Sequence, residues 1–344
     1  MEDGTDIGGT RGLARGLSPP QLTNKGSGYA ASVLPSDPRV TVLSGGGGGA
    51  KLADGLARAV TDLTVVVNTA DDAVLYGLSV SPDLDTVMYT LAGLANLETG
   101  WGVAGDAFTT LDAMARLGED TWFRIGDQDL ATNVVRTARL RAGASLSTVT
   151  AQLATALGVR ARLLPMTDDP VGTVVETDAG RLGFQEYFVG RRHRDEVRGL
   201  VLDGVEQARP APGVLEALTD ADVVVLGPSN PFVSIGPILA VPAVRDALAG
   251  SQARRVGVSP VVGGQALKGP AAAMLGALGH ETSALGVARL YAGLLDVWVI
   301  DEQDRHLAPA IEGLGLPVAV LGTVMDGPED RERLARELLD IARG

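Results

Sequence analysis

Apolar periodicity begins only after residue 39. Residues 1–39 are rich in Gly, Ser, Pro and Asp and show no apolar period, which predicts a disordered extension outside the fold. From Val40 onward, short aliphatic runs alternate with longer stretches of helical spacing. Val40–Leu43 reads as a strand and enters Ser44–Gly49, a serine followed by five glycines. Ala50–Val60 then places Leu52, Leu56, Ala59 and Val60 on one helical face. A second apolar strand, Leu63–Val67, ends at Asn68–Asp72. Strand, glycine loop, helix and strand form a βαβ unit, which requires a parallel sheet.

The pattern continues in the same alternation. Asp83–Leu117 reads as mostly helical, followed by helices over Asp129–Arg141 and Leu146–Leu157. Arg162–Val189 alternates short β-branched runs with turns, predicting antiparallel strands, so residues 160–210 are expected to be a β-rich insertion. Gly213–Leu218 is a short helix. Ala221–Leu226 is a buried strand entering Gly227–Pro231, and Arg255–Pro260, Val297–Ile300 and Val318–Leu321 are further strands with helices between them. Pro328–Arg343 carries Leu334, Leu338 and Ile341 against charged neighbours and closes the chain as an amphipathic helix. The predicted class is α/β: a Rossmann-like, mostly parallel sheet with helices on both faces and an inserted α+β segment, forming one domain over residues 40–344.

Composition narrows the chemistry. The net charge is −13 with no basic patch, which argues against a nucleic-acid partner. There is no cysteine, which excludes disulfides, thiolate metal sites and cysteine nucleophiles. No apolar run reaches transmembrane length and the N-terminus lacks a signal-peptide pattern, so no membrane partner and a cytoplasmic location are expected. An acidic protein that binds phosphates must concentrate positive charge locally, through backbone N–H groups, a few basic side chains or a divalent metal.

The glycine run offers such a place. A strand–glycine loop–helix unit presents amides and a helix N-terminus at the carboxyl edge of the sheet, which favours an anion. Gly45-x-Gly47-x-x-Ala50 matches a dinucleotide-binding pattern, but Asn68 stands where a ribose-binding acid should end the second strand. The P-loop pattern fails too, because Leu52 follows Lys51 where Ser or Thr is required. At the same sheet edge lie Asp71 and Asp72, then Asp83 and Asp85 ahead of a helix. Asp83 suits a cap for that helix. Beside a phosphate site, the same carboxylates also make a place for Mg²⁺, a hard cation that takes oxygen ligands.

Several stretches together resemble one family. They include Ser44–Leu52, Val67–Asp72, Ser81–Tyr89, Gly100–Gly102, Trp122–Ala131, Arg136–Thr137, Leu164–Val171 and Gln185–Phe188. Gly227–Pro231, Ser259–Pro270 and Val299–Asp301 continue the series in the C-terminal half. In this order they resemble the 2-phospho-L-lactate/phosphoenolpyruvate transferases of coenzyme F-420 biosynthesis. The resemblance implies transfer of a phospholactyl or phosphoenolpyruvyl group from lactyl- or enolpyruvyl-diphospho-guanosine. The acceptor it implies is the terminal hydroxyl of 7,8-didemethyl-8-hydroxy-5-deazariboflavin (Fo), with release of GMP. It further implies Mg²⁺ and a homodimer. By position, Asp71 and Asp85 match the catalytic and metal-binding carboxylates, and Asp85 and Arg124 match residues at Fo. The resemblance turns Gly45, Gly46, Gly47, Gly48, Gly49 and Lys51 toward the donor phosphates, and Gly227, Ser229 and Asn230 toward the guanosine. Five consecutive glycines are more permissive than the family's usual Gly-Gly-x-Gly-Gly or Gly-Gly-x-Gly-Thr.

Other candidates have plain alternatives. Trp101 and Trp122 suit either ring stacking or core packing. Thr167 and Asp168 suit substrate contact or a turn, and Lys268 suits an anion contact or solvent. Arg191–Arg194 suits a solvated loop or a counter-charge for the acid of the donor. His193, His280 and His306 fit the surface. A nicotinamide-dependent oxidoreductase and a non-catalytic nucleotide-binding regulator are the competing classes.

Overall fold

The computed structural model describes residues 34–266 and 270–344. Residues 1–33, most of the expected extension, and Lys268 lie outside them. The chain opens with strand β1 (Val40–Ser44), helix α1 (Gly46–Ala59) and strand β2 (Leu63–Val67). A hairpin of β3 (Ala73–Leu75) and β4 (Leu78–Val80) leads to α2 (Pro82–Leu91), α3 (Thr109–Arg116), α4 (Asp127–Arg141) and α5 (Leu146–Ala156). The stretch expected to be mostly helical from Asp83 to Leu117 is thus two helices, with irregular chain over residues 92–108 that turns at Gly93, Gly100, Gly102 and Gly105, all at positive φ.

Strand β5 (Arg162–Pro165) follows, then β6 (Gly172–Thr177), β7 (Gly180–Gly183) and β8 (Val197–Asp203). The second half contains α6 (Val214–Thr219), β9 (Val223–Leu226), α7 (Ile235–Ala240), α8 (Val244–Gly250) and β10 (Arg254–Val258). A small hairpin, β11 (Val261–Val262) with β12 (Gln265–Ala266), precedes α9 (Ala271–Ala277) and α10 (Ala284–Tyr291). The chain ends with β13 (Val297–Asp301), α11 (Ala308–Glu312), β14 (Val318–Leu321) and α12 (Pro328–Arg343).

Seven strands form one parallel sheet in the order β14-β13-β10-β9-β1-β2-β5. β5 was expected among antiparallel strands; it instead pairs parallel with β2, through Val65 opposite Leu163. The antiparallel part is smaller, a three-stranded sheet of order β7-β6-β8. A short apolar run has the same period in either setting, so periodicity alone does not separate them.

Successive residues of the main strands enter two different cores, as a buried parallel sheet requires. Val40, Val42, Val65 and Val225 pack with α1, α2 and α12 through Leu52, Leu56, Leu84 and Leu338. Leu43, Val66, Leu226 and Trp298 pack on the other face with α7, α8 and α10, and with the three-stranded sheet through Val175 and Leu200. Helix α12 lies close against α1 because Gly55 faces the Arg331 carbonyl, leaving no room for a Cβ. The buried pair Asp54–Arg331, at 3.0 Å, fixes that contact.

The sheet order reverses at β1. Its neighbours are β2, reached through α1, and β9, reached only after the rest of the first half. In open parallel sheets, ligands bind beyond the carboxyl ends of the strands at such a switch point. The glycine run after β1 and Gly227–Pro231 after β9 stand side by side there: Gly227 N–H donates to Leu43 O at 3.0 Å, and a Cβ on Gly227 would lie 3.2 Å from Gly49 Cα.

Candidate functional site

The glycine run is not a loop followed by a helix. Gly45 is the N-cap, and Gly46–Gly49 form the first turn of α1. Gly46 has φ of +66°, a conformation that suits glycine. A side chain at Gly45 would meet Ser234 and Asp83 at 2.6 Å; at Gly48 it would collide with Pro228 O, and at Gly49 with Ser44 Oγ. Gly47 alone has nothing within 4 Å of a Cβ position. Close packing thus explains Gly45, Gly48 and Gly49, and its positive φ explains Gly46, while Gly47 faces open space. Amides 47 and 48 belong to the first turn, where a helix leaves N–H groups without intrahelical acceptors. Ser44 Oγ lies buried against Gly49 in the same turn, with no hydrogen-bond partner.

The residues after β9 buttress this turn. Ser229 Oγ donates to Gly45 O at 2.7 Å. Asn230 Oδ1 accepts Phe232 N–H at 2.9 Å, and its Nδ2 lies 3.5 Å from Met274 Sδ. Both side chains, expected at the guanosine, are engaged with the protein here. Lys51 Nζ, expected at the donor phosphates, donates to Met325 O at 2.6 Å.

Four aspartates come together below the glycine turn: Asp71, Asp83 and Asp85 are buried and Asp72 is half-buried. Asp83 was expected to cap its own helix. It caps α1 instead, accepting Gly46 N–H at 2.8 Å and Asn68 Nδ2 at 2.9 Å. Asp72 accepts Ser81 Oγ–H at 2.6 Å, but its Oδ1, like Asp71 Oδ1, has no partner. Asp85 accepts both Nη groups of Arg136, one at 3.0 Å. Arg136 Nη1 also donates to Asn133 Oδ1 at 2.6 Å.

Electrostatics follow from burial of like charges. Burial, then Asp83, holds the Asp71 carboxyl well above its usual range. Burial does the same to Asp72, against the Ser81 hydrogen bond. Asp83 is pushed up to about 6 by burial, against hydrogen bonds from Asn68 and Gly46. Asp85 is raised by burial despite Arg136. Arg136 is itself buried, and the neighbouring Asp85 holds it protonated. One guanidinium for four carboxylates leaves the cluster short of positive charge. Two orphaned carboxylate oxygens fit a hard cation such as Mg²⁺. Among the described residues no three acidic or histidine side chains are placed as a metal cage.

Arg124 stands apart from the aspartates. It is exposed, with its guanidinium 4.1 Å from the Phe108 ring centroid; Phe108 in turn meets Trp101 edge-on at 6.4 Å. Its loop is held by Tyr76, which donates to Phe123 O at 2.8 Å. The three-stranded sheet docks on the aspartate loop through Thr173 N–H to Ala70 O, at 2.7 Å, and Gln185 Nε2 to Asp71 O, at 3.1 Å. Trp101 is exposed and Trp122 packs beside Gly190; Arg191 pairs with Asp195 at 2.7 Å. His193 and His306 are exposed and His280 is half-buried against Phe232.

Residue-type patterns pointed to the glycines and aspartates but gave no role to Arg136, Ser44 or Tyr76. A signal for Arg136 was present: Asn133, Arg136 and Thr137 form a polar stripe on one face of α4, and all three are buried. The nicotinamide reading meets an obstacle in Asn68, which is fully buried and donates to Asp83 and to Val233 O, so no ribose acid ends β2. No helix of the described residues is long and apolar enough to cross a membrane.

The chain is 46% identical over 312 residues to a phosphoenolpyruvate transferase of Streptomyces griseus, covering 88% of this chain and 98% of that protein. It is 41% identical over 296 residues to a 2-phospho-L-lactate transferase of Methanosarcina mazei, covering 86% and 97%. A solved structure of a UPF0052 family member from Bacillus halodurans superposes with a TM-score of 0.60 over 89% of this chain and 100% of that one; at 16% identity it speaks for the fold alone. The family model described as 2-phospho-L-lactate transferase CofD matches residues 40–312, and the chain belongs to that transferase family.

Proposed function

We propose that this protein moves a phospholactyl or phosphoenolpyruvyl group from a guanosine diphosphate-linked donor to the terminal hydroxyl of Fo. GMP leaves, and coenzyme F-420-0 or its dehydro form results. The observation that carries the reading is the junction of the α1 glycine turn with the buried aspartate cluster through Asp83 and Gly46.

Phosphoryl transfer needs in-line positioning and relief of charge on the non-bridging oxygens. Amides 47 and 48 and the N-terminal dipole of α1 supply donors for the diphosphate, and Gly47 permits close approach. The Gly227–Asn230 segment, fixed against the turn, forms the guanosine side. Arg124 with Phe108 offers a cation and a ring face for the deazaflavin. The Fo hydroxyl oxygen bonds to phosphorus as the bond to the GMP oxygen breaks, and GMP departs with the electron pair. A buried carboxylate with a spare oxygen takes the hydroxyl proton. Asp71 and Asp85 would hold Mg²⁺; Asp71 has the spare oxygen, while Asp85 shares its own with Arg136. When bound, Mg²⁺ supplies charge neutralisation on the diphosphate. A homodimer in the cytoplasm completes the reading.

Mass spectrometry of the products formed from Fo, Mg²⁺ and each candidate donor tests it. A deazaflavin product enlarged by the phosphorylated three-carbon acid, with stoichiometric GMP, is expected. Unchanged Fo with both donors would overturn the proposal.

A further inference from the structure

Asp83 stands where three parts of the site meet. Its two oxygens hold Gly46 N–H and Asn68 Nδ2. Asn68 in turn donates to Val233 O at 3.0 Å and accepts Ala70 N–H at 3.0 Å. A Cβ at Gly45 would lie 2.6 Å from Asp83 Oδ2. One carboxylate therefore ties the first turn of α1 to the end of β2 and to the chain after β9. It also occupies a place that the helix dipole favours for any anion.

The rest of that turn is left for an incoming anion: Gly47 with open space around it, and the buried, unpartnered Ser44 Oγ. A diphosphate arriving there meets the charge of Asp83 at once, with Asp71 beside it. Arg136 does not relieve this repulsion, since its Nη groups are engaged by Asp85, Asn133 and Ser79 O.

We propose that Asp83 is a resident anion of the phosphate cradle, a positioning residue that makes nucleoside diphosphate binding depend on a divalent cation. The inference rests on the reading of the cradle as a donor site. It assigns Asp83 two tasks: to set the turn through Gly46, and to keep diphosphate out until a cation offsets the charge. The replacement Asp83→Asn separates them, because its side-chain oxygen still accepts Gly46 N–H while the charge is gone; the hydrogen bond from Asn68 is given up with it.

Calorimetric titration of GDP into wild-type protein and D83N, each in Mg²⁺ and in EDTA, tests this. For wild type, removal of Mg²⁺ is expected to raise the Kd for GDP by about 30-fold or more. In D83N the difference shrinks to about threefold or less, because GDP binds more tightly in EDTA. Circular dichroism checks the variant's fold, and Asp83→Ser, a shorter neutral acceptor, replaces it if needed. A wild-type Kd indifferent to Mg²⁺ overturns the inference and leaves the guanosine donor standing. Neutral variants as Mg²⁺-dependent as wild type overturn it as well. Failure of wild type to bind GDP in Mg²⁺ instead removes the guanosine donor, and this inference with it.

Discussion

Arg136 and Asp85 form a two-pronged ion pair in which the arginine is 1% and the aspartate 5% exposed. Neither has solvent to fall back on. Breaking such a pair from one side leaves an uncompensated buried charge, at a cost of about 3–5 kcal/mol. Arg136→Met is therefore expected to lose stability on that scale in chemical denaturation. The double variant Arg136→Met with Asp85→Leu should recover part of the loss, because both charges are gone. A double variant no more stable than the single would show that the pair is not the source of the cost.

Asp85→Asn tests the chemistry, alongside the stability loss expected from an unpaired Arg136. Turnover is expected to fall by about 10²–10³-fold, the scale seen when one electrostatic contributor to a transition state is removed. Circular dichroism should show the secondary structure retained. Turnover near the wild-type level would remove Asp85 from the reaction.

The glycine turn makes a position-specific prediction. Gly48→Ala drives a methyl group into Pro228 O and should cost about 1–3 kcal/mol by thermal denaturation. Gly47→Ala has open space and should leave stability within about 0.5 kcal/mol. If Gly47 serves close phosphate approach, its alanine variant weakens GDP binding without loss of stability. Equal stability losses at both positions would contradict the packing described.

Asp129 accepts the Tyr89 hydroxyl at 2.9 Å and is pushed up to about 6, by burial first and then by Asp85. A carboxyl raised in the folded state binds its proton there more tightly than in the unfolded chain. Its contribution therefore favours folding at low pH and is lost as pH rises from about 4 toward 6, by about 1–3 kcal/mol. Asp129→Asn should flatten the stability curve over that window, measured by urea denaturation at stepped pH. An unchanged slope would show that Asp129 titrates normally.

Much of the fold was legible because its strands are fully buried. Runs such as Val40–Leu43, Leu63–Val67 and Val297–Ile300 can satisfy their backbone only inside a covered sheet. The candidate site was legible as residue types at one sheet edge: five glycines after β1, and aspartates after β2. What was not legible was which group faces which. Local spacing suggests that Asp83 caps the helix it begins, but tertiary packing carries it to Gly46 instead. Glycines have low helix propensity, so the run looked like a loop; contacts with Ser44, Pro228 and Ser234 override that preference. Arg136 gave no hint of its partner, because Asp85 lies 51 positions away in the chain.

Ser229 and Gly45, joined by a 2.7 Å hydrogen bond, are 184 positions apart. A chain emerging from the ribosome therefore displays its glycines long before the strand that buttresses them exists. Until β9 slots in beside β1, the first turn of α1 has nothing on one side, and the cradle is absent however well the first βαβ unit has formed. Non-local closure of this kind is slow. Competence to bind a ligand here thus arrives late in synthesis, and a truncated chain ending before Ser229 would carry the motif without the site.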